Sequence, residues 1–337
     1  MNSSKYKCRE YLNLYDLDIE LFKRFNLYVY DVVPVRKVFI LRTDKGDKIL
    51  KKIDYSIDDL KFIRTAMKYL KNNGFDRVIN FIKTTEGYIY TIWNGDIYYV
   101  MDLLEGRECQ YSNPIDIMIT SKALSDMHKA SIGFKYNLKS RYNLHKIIEN
   151  FKYRLKKIKF IKEMVQLYDN KSEFDKIFLE NVDYYIEQMN DSIKILKYSK
   201  YHEMCNEEDK IVLCHHDLAH HNILIKDEEA YFVDFDYSVL DLRIHDLCNF
   251  INKVIKNFDF DMEKTNQIIT NYNNFDNLDN REMEVLYGML YFPEDFYSIC
   301  VNYYDTRKNW SENIFIRRLI KKVDYKHDRE EFLKNLA

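Results

Sequence analysis

Glycine and proline are scarce in this chain, at 7 and 3 of 337 residues. So few backbone punctuators imply long helices joined by short turns, and they exclude a glycine-rich phosphate loop. The six cysteines (Cys8, Cys109, Cys205, Cys214, Cys248 and Cys300) form no CxxC pair and keep no regular spacing. That excludes a disulfide framework and a zinc ribbon, and leaves reduced, buried thiols as the expectation. No apolar run approaches the roughly 20 residues of a membrane span, and MNSSKYKCREYLNLYDLD lacks the apolar core of a signal peptide. Synthesis in the cytoplasm is therefore expected. Neither sign of charge is in excess, with 52 Lys plus Arg against 54 Asp plus Glu. The balance gives no reason to expect nucleic acid or an anionic membrane as partner, and points to a small molecule or a protein. No Ser or Cys sits on a glycine-flanked nucleophile turn, so a hydrolase of that kind is excluded. Repeats, low-complexity tracts and flexible linkers are also missing.

What is present is core material: 46% hydrophobic and 15% aromatic residues, enough for two lobes that each bury a core. Residues 1 to about 30 carry apolar positions at mixed spacing and predict one or two short helices. From Val32 the pattern becomes β, with VVPVRKVFILRT, the turn DKGD and then KILKKI. Ser56 and Asp59 resemble a capping box before Leu60, Ile63, Met67 and Leu70, which predict a helix over about 57–72. VINFIKT, YIYTIW and IYYVMDLL follow, the last two joined by Asn94-Gly95, a strong hairpin signal. The first hundred residues thus read as five antiparallel strands with one helix inserted after the second. After LLEGRE the pattern is helical, with long segments at roughly 141–169 and 171–199. In the first of these FKYRLKKIKFIKEM carries many basic residues, but Phe151, Leu155, Ile158 and Val165 at helical spacing make it an amphipathic helix with a solvated face. From about Asp241 the chain is helical again, broken near NFDNLDN and Pro293.

Between these helices lies IVLCHHDLAHHNILIKDEEAYFVDFD, Ile211 to Asp236, read as strand, tight loop, strand, turn and strand. Asp217, Asn222 and Asp234 fall at the edges of those strands, where their oxygens can converge on a metal-bound phosphate. Phosphoryl transfer needs a positioned nucleophile, a divalent metal bridging phosphates and positive charge on the oxygens. Asp217 suits the carboxylate that receives the proton of an acceptor hydroxyl. Asn222 and Asp234 offer oxygens to Mg²⁺, and Asp236 lies on the same face if the strand continues. Either Lys51 or Lys52, neighbours on a strand and so on opposite faces, can reach the phosphates of ATP. Leu103 and Leu104 lie where an adenine ring would insert, next to Asp102.

HHDLAHHN followed by VDFD resembles the catalytic and metal motifs of the aminoglycoside phosphotransferase and choline kinase superfamily, relatives of protein kinases. ALSDMH at 123–128 resembles the helix that precedes the catalytic loop there. More narrowly, VVPVRKVFILRTDKGDKILKKI, YLKNNGFDRVINFIKTTEG, LLEGRE, CHHDLAHHNILI and FVDFDYSVLDLRIHDLCNFI resemble the CotS-type spore coat proteins, over nearly the whole chain from Val32. The resemblance implies an α+β, bilobal protein-kinase-like fold: an N-lobe of five antiparallel strands plus a helix (1–102), a hinge (103–106) and a mainly helical C-lobe with a small catalytic β unit (107–337). It implies ATP and Mg²⁺ in the cleft. Asp217 would be the base, with His215 holding the catalytic loop; Asn222, Asp234 and Asp236 would be metal ligands. Lys51, Arg36, Asp102 and Leu104 would contact the nucleotide, and Asp246 would be a buried carboxylate bracing the loop. Two departures stand out. The loop PVRKV has no glycine, leaving Arg36 or Lys37 to act by charge, and the helix that should supply a glutamate to Lys51 offers only Asp58 and Asp59.

Other readings of the same residues remain. His215, His216, His220 and His221 with Cys214 and Asp217 contain zinc-ligand types, though strand-like flanks work against helical four-residue spacing. His128 and His245 read as packed, structural histidines. Two functions stay open: a phosphotransferase acting on a hydroxyl of a small molecule or a coat protein, and a non-catalytic scaffold of the spore coat that works through other coat proteins.

Overall fold

The structure, a computed structural model, describes residues 12, 14–256, 260–273 and 277–336. Cys8 and part of NFDNLDN lie outside the described residues.

The N-terminal lobe is an antiparallel sheet in the order β1-β2-β3-β6-β4, with β5 also on β6. Its strands are β1 (Val29–Val35), β2 (Val38–Thr43), β3 (Lys48–Ile53), β4 (Phe81–Ile82), β5 (Thr91–Trp93) and β6 (Asp96–Asp102). There are six strands rather than five because the run from Val32 to Thr43 folds back on itself. Arg36 adopts φ +52° and pairs Val35 with Val38 across a tight turn. Asn94 and Gly95 both have positive φ, the conformation a two-residue hairpin turn needs. One face of the sheet is covered by the N-terminal segment, where Leu17, Leu21, Phe22 and Phe25 of and around α1 (Ile19–Lys23) pack on Leu41, Leu50 and Val100. The other carries Ile53 and Tyr99 against Leu60 of α2 (Ile57–Asn72).

Helix α2 begins where the Ser56 hydroxyl accepts the Asp59 N–H at 3.1 Å, which satisfies one of the helix's free donors. Its second apolar face, Phe62, Ile63, Ala66, Met67 and Leu70, joins the core of the helical lobe. Phe62 meets Phe134 and Tyr136 there, with ring centroids 5.8 and 5.4 Å apart. The two lobes are thus fastened by the same helix that flanks the cleft.

The connector Leu103–Gly106 leads into β7 (Arg107–Glu108). Gly106 passes so close to the backbone of Ile225 that a Cβ would stand 3.2 Å from its carbonyl oxygen, which explains a glycine at a position with ordinary φ. The C-terminal lobe then holds α3 (Pro114–Ser131), α4 (Ile147–Gln166), α5 (Glu173–Tyr198) and α6 (Tyr201–Met204). After the β unit come α7 (Arg243–Ile255), α8 (Met262–Asn273), α9 (Asn280–Tyr291), α10 (Glu294–Tyr304), α11 (Glu312–Asp324) and α12 (Lys326–Leu336). In α4, Phe151, Ile158, Ile161 and Val165 are buried, while Lys157 and Lys162 pair with Asp305 and Asp183. Lys152, Lys156 and Lys159 are exposed, so the basic residues lie largely on a solvated face opposite the packed one. The β unit has four strands of its own: β8 (Ile211–Cys214) pairs with β11 (Val239–Leu242), and β9 (Ile223–Lys226) lies between β10 (Glu229–Phe232) and β7. Strand β10 stops at Phe232, so Asp234 does not end a strand and Asp236 does not continue one. Asp234 takes φ +65° and leads into a short 3₁₀ turn, Phe235–Tyr237.

Candidate active site

Strand parity settles which lysine faces the cleft. Lys51 pairs with Tyr99, on the face shared by Ile53, while Leu50 and Lys52 point to the opposite side. Lys52 accordingly pairs with Asp96 at the surface. Lys51 crosses to the other lobe, its Nζ 2.6 Å from Asp234 Oδ1 and 2.7 Å from Asp236 Oδ2. The 3₁₀ turn does for Asp236 what an extended strand was expected to do. The Tyr55 hydroxyl donates to the second oxygen of Asp236 at 2.9 Å.

The charges here depend on one another. Burial alone would lower the proton affinity of Lys51, but the two carboxylates outweigh it and raise its pKa. Burial raises the carboxyl pKa of both acids. At Asp234 the adjacent Lys51 prevails and holds the pKa below the usual carboxylate value. At Asp236 burial, reinforced by the like charge of Asp234, prevails and keeps it above.

On the other wall Asp217 is held at both oxygens. Asn222 Nδ2 donates to Oδ2 at 2.9 Å and to the backbone carbonyl at 3.0 Å, and Lys253 Nζ lies 2.5 Å from Oδ1. The side-chain Oδ1 of Asn222 accepts no hydrogen bond from the described residues, although the side chain is nearly buried, while its backbone carbonyl takes the Val233 N–H at 3.0 Å. Three residues of α7, Asp246, Asn249 and Lys253, form one stripe at spacings of three and four. Asp246 accepts the N–H groups of His215 and His216 at 2.5 and 2.7 Å. Asn249 accepts the Leu218 N–H at 3.2 Å, and Lys253 reaches Asp217. A single helix face thus fixes the loop. His128 of α3 lies 3.2 Å from Asp246 and holds Tyr272 on its other nitrogen.

His215 is wholly buried and does not open on the cleft. Its Nε2 donates to the Val233 carbonyl at 2.9 Å and its Nδ1 accepts the Asp217 N–H at 3.3 Å, which a neutral imidazole satisfies. Burial lowers its pKa despite the neighbouring Asp246. His215 therefore positions Asp217 and ties the loop to the backbone just before Asp234, the holding role expected of it, and it does not itself line the cleft.

Two expectations need correction. Asp102 faces away from Lys51, because its cross-strand partner is Lys48, and its carboxylate pairs with that lysine at 3.3 Å. Arg36 stands at the tip of the β1–β2 turn, exposed, 3.4 Å from Glu108. It faces Glu108 and not the Lys51 cluster. The four clustered histidines do not share a centre: His215 bonds Val233, His216 turns to Asp241, His220 lies near Glu108, and Cys214 is buried with its thiol pKa pushed well up. Leu104 is half-buried in the connector, and the N–H of Leu103 is already bonded to the Asp47 carbonyl at 3.1 Å.

Tyr55, Arg141 and Lys253 were missed. Arg141 is buried and bonds Asp59 through Nε at 2.7 Å and the carbonyls of Asp236 and Ser238 through Nη1 at 2.7 and 2.9 Å. The acid that was too short for Lys51 instead fastens α2 to the Asp236 turn. Lys253 alone was detectable in advance, since it continues the Asp246–Asn249 stripe.

The family described as spore coat putative kinase YutH matches residues 19–336. The chain belongs to that family. Spore coat protein S of Bacillus subtilis (strain 168) is 22% identical over 306 residues, covering 89% of this chain and 87% of that protein. Among solved structures, an aminoglycoside phosphotransferase from Alicyclobacillus acidocaldarius superposes with a TM-score of 0.83 at 16% identity, over 95% of each chain. Spectinomycin phosphotransferase, solved with ADP and spectinomycin, gives 0.67 at 15% identity over 96% of this chain and 98% of its own. The fold of this YutH-family chain is therefore the bilobal, protein-kinase-like fold of those phosphotransferases.

Proposed function

We propose that this protein is an ATP- and Mg²⁺-dependent phosphotransferase acting on a hydroxyl group, and that it serves in the spore coat. The observation that carries the reading is the meeting of Lys51 with Asp234 and Asp236 across the cleft, beside an Asp217 whose two oxygens are held by Asn222 and Lys253. The donor set suits Mg²⁺: an unpaired amide oxygen at Asn222 and a carboxylate at Asp234 kept ionised by Lys51, both hard oxygens. Those two residues would hold the ion, with Asp236 beside them. When bound, Mg²⁺ supplies charge neutralisation on the phosphates. Asp217 orients the acceptor hydroxyl and takes its proton as the oxygen attacks phosphorus. Lys51, kept cationic by two carboxylates, supplies a point charge for the phosphates. The half-buried Leu104 lines the connector where the base would enter.

The glycine-free β1–β2 turn favours a second reading, a kinase-fold scaffold that contacts other coat proteins without turnover. Thermal unfolding with and without Mg-ATP separates the two. The first reading expects stabilisation by Mg-ATP, about 2.7 kcal/mol at a hundredfold excess over Kd, that is lost in Asp234→Asn. It also expects Asp217→Asn to keep that stabilisation while ATP turnover falls about 10²- to 10⁴-fold. Identical melting of the wild type with and without Mg-ATP would leave the scaffold reading.

A further inference from the structure

His216 occupies an unusual place. It precedes Asp217 with φ +64°, a left-handed backbone that glycine adopts freely and other residues adopt only under strain. The turn sends its side chain to Asp241 at the end of the β unit, Nε2 to Oδ2 3.4 Å. His245, the residue before Asp246, directs Nδ1 at the same oxygen from the first turn of α7. The two imidazole centroids are 4.3 Å apart. One donor atom from each of the three residues lies within 4.8 Å of the others.

We propose that His216, His245 and Asp241 form a binding site for a divalent transition-metal cation of the zinc class, separate from the Mg²⁺ ligands. Two imidazoles and one carboxylate with an open fourth position are a recurrent zinc donor set, and imidazole selects such cations over Mg²⁺. Metal bonds of about 2.0–2.1 Å at tetrahedral angles place donor atoms about 3.3 Å apart, which the His216–Asp241 separation already meets. Asp241 is pre-oriented. Its Oδ1 accepts the Leu242 N–H at 2.8 Å, and Asn143 Nδ2 donates to Oδ2 at 2.7 Å, leaving that oxygen a lone pair. The carboxylate is 1% exposed, while the imidazoles are 22% and 25% exposed, so the cluster has a buried anion and an opening to solvent. Without metal each imidazole presents an N–H to Asp241; on binding, each ring takes the tautomer that carries its proton on the other nitrogen, a protonated ring releasing its second proton to solvent, and the freed nitrogen takes the cation.

The site joins three elements that hold the catalytic loop: the loop at His216, β11 at Asp241 and α7 at His245. An occupied site pins His216 to α7 in addition to the bond its N–H makes with Asp246. It is a clamp one residue from Asp217, and its existence does not depend on ATP turnover.

The test uses untagged protein and Zn²⁺ alone, titrated against a chromophoric chelator at about pH 7.5, where imidazole is largely unprotonated, with Co²⁺ as the spectroscopic substitute. One equivalent is expected to bind, with the intense visible bands of four-coordinate Co²⁺ and no competition from millimolar Mg²⁺. His216→Gly relieves the left-handed backbone as it removes a ligand, and should weaken binding at least about a hundredfold without loss of fold. His245→Gln should do the same, and Asn143→Ala should weaken binding about ten- to a hundredfold. His202→Ala is the control, since exposed His202 and His145 face each other with Nδ1 atoms 3.1 Å apart and could capture zinc themselves. Binding unchanged in His216→Gly, abolished by His202→Ala, or displaced by Mg²⁺ would overturn the proposal. Loss of binding in His216→Gly and His245→Gln with circular dichroism unchanged would support it, whether or not the protein turns over ATP.

Discussion

On the helical side of the cleft, the backbone of His215, His216 and Leu218 donates to side chains of α7, His215 closes onto Val233, and Tyr111 donates to the Leu218 carbonyl at 2.6 Å. On the sheet side, the β1–β2 turn presents Val33 and Val35 partly to solvent, and Arg36 makes one long contact with Glu108. Lys51, lodged between Asp234 and Asp236, is by contrast held as firmly as the loop opposite. The contrast teaches where preorganisation is concentrated. The groups that would handle the acceptor are fixed before any ligand arrives, and those that would cover the phosphates are not.

If the helical wall is as fixed as this, its keystone should be expensive to remove. Asp246 is fully buried and burial would raise its pKa, but the hydrogen bond to His128, with the other imidazoles nearby, holds it below the usual carboxylate value. It therefore stays ionised and receives two backbone N–H groups and His128. Asp246→Ala should cost about 3–5 kcal/mol, since it strands the buried His215 N–H and His128. Urea denaturation measures it, and a loss under about 1 kcal/mol would show that the loop is held elsewhere.

Lys253 probes the same wall at smaller cost. It is partly exposed and holds one oxygen of Asp217. Lys253→Met should lower turnover roughly ten- to a hundredfold, less than removal of a donor aimed at the reacting oxygens, with stability nearly unchanged. An undiminished rate would assign Lys253 to the surface.

The pH dependence of stability tests the buried His215. Burial lowers its folded-state pKa, so below the unfolded value of about 6.5 the unfolded chain binds a proton that the folded one refuses. Stability from this group is present above that pH and lost as pH falls below it, at up to about 1.4 kcal/mol per unit. His245 acts in the opposite sense, because Asp241 overcomes burial and raises its pKa. Comparing wild type with His215→Gln isolates the first group: the free-energy difference between them should grow as pH rises through 6.5 and then level off. A difference independent of pH would mean that His215 titrates normally.

The same division governs what could be read from the amino acids. Asp217, Asn222 and Asp234 were legible because a strand–loop–strand segment fixes them by local spacing, and α2, α4 and α5 because apolar residues recur at helical intervals. The choice of Lys51 over Lys52 came from the resemblance and not from the local pattern, since it depends on the register of β3 with β6 and on Leu50 being the residue that faces the N-terminal cover. Asp102 was misplaced for the same reason. Arg141 and Tyr55 bridge positions 95 and 181 residues apart, and nothing in their neighbourhoods announces that. The split of the first strand was obscured because valines flank the turn on both sides, and a non-glycine residue at φ +52° gives no compositional signal.

The smallest expected effect is at Arg36, and it tests the loose wall directly. The Arg36–Glu108 pair is more than half exposed on the arginine and nearly half on the glutamate, at 59% and 48%, with 3.4 Å between the charged atoms. Water screens such a pair, and holding two long side chains in register offsets much of what remains, so exposed pairs are worth about 0–1 kcal/mol. Arg36→Ala should therefore change unfolding free energy by less than about 0.5 kcal/mol. Its effect on nucleotide affinity carries more information. If the turn stays at Glu108 when Mg-ATP binds, affinity should change by less than about threefold, or 0.7 kcal/mol. A tenfold loss would show that the turn leaves Glu108 and brings its guanidinium onto the phosphates, replacing by charge what a glycine loop does with backbone N–H groups. Arg36→Lys then separates the two ways arginine can act: recovery of affinity means a point charge suffices, and no recovery means the planar fork is needed.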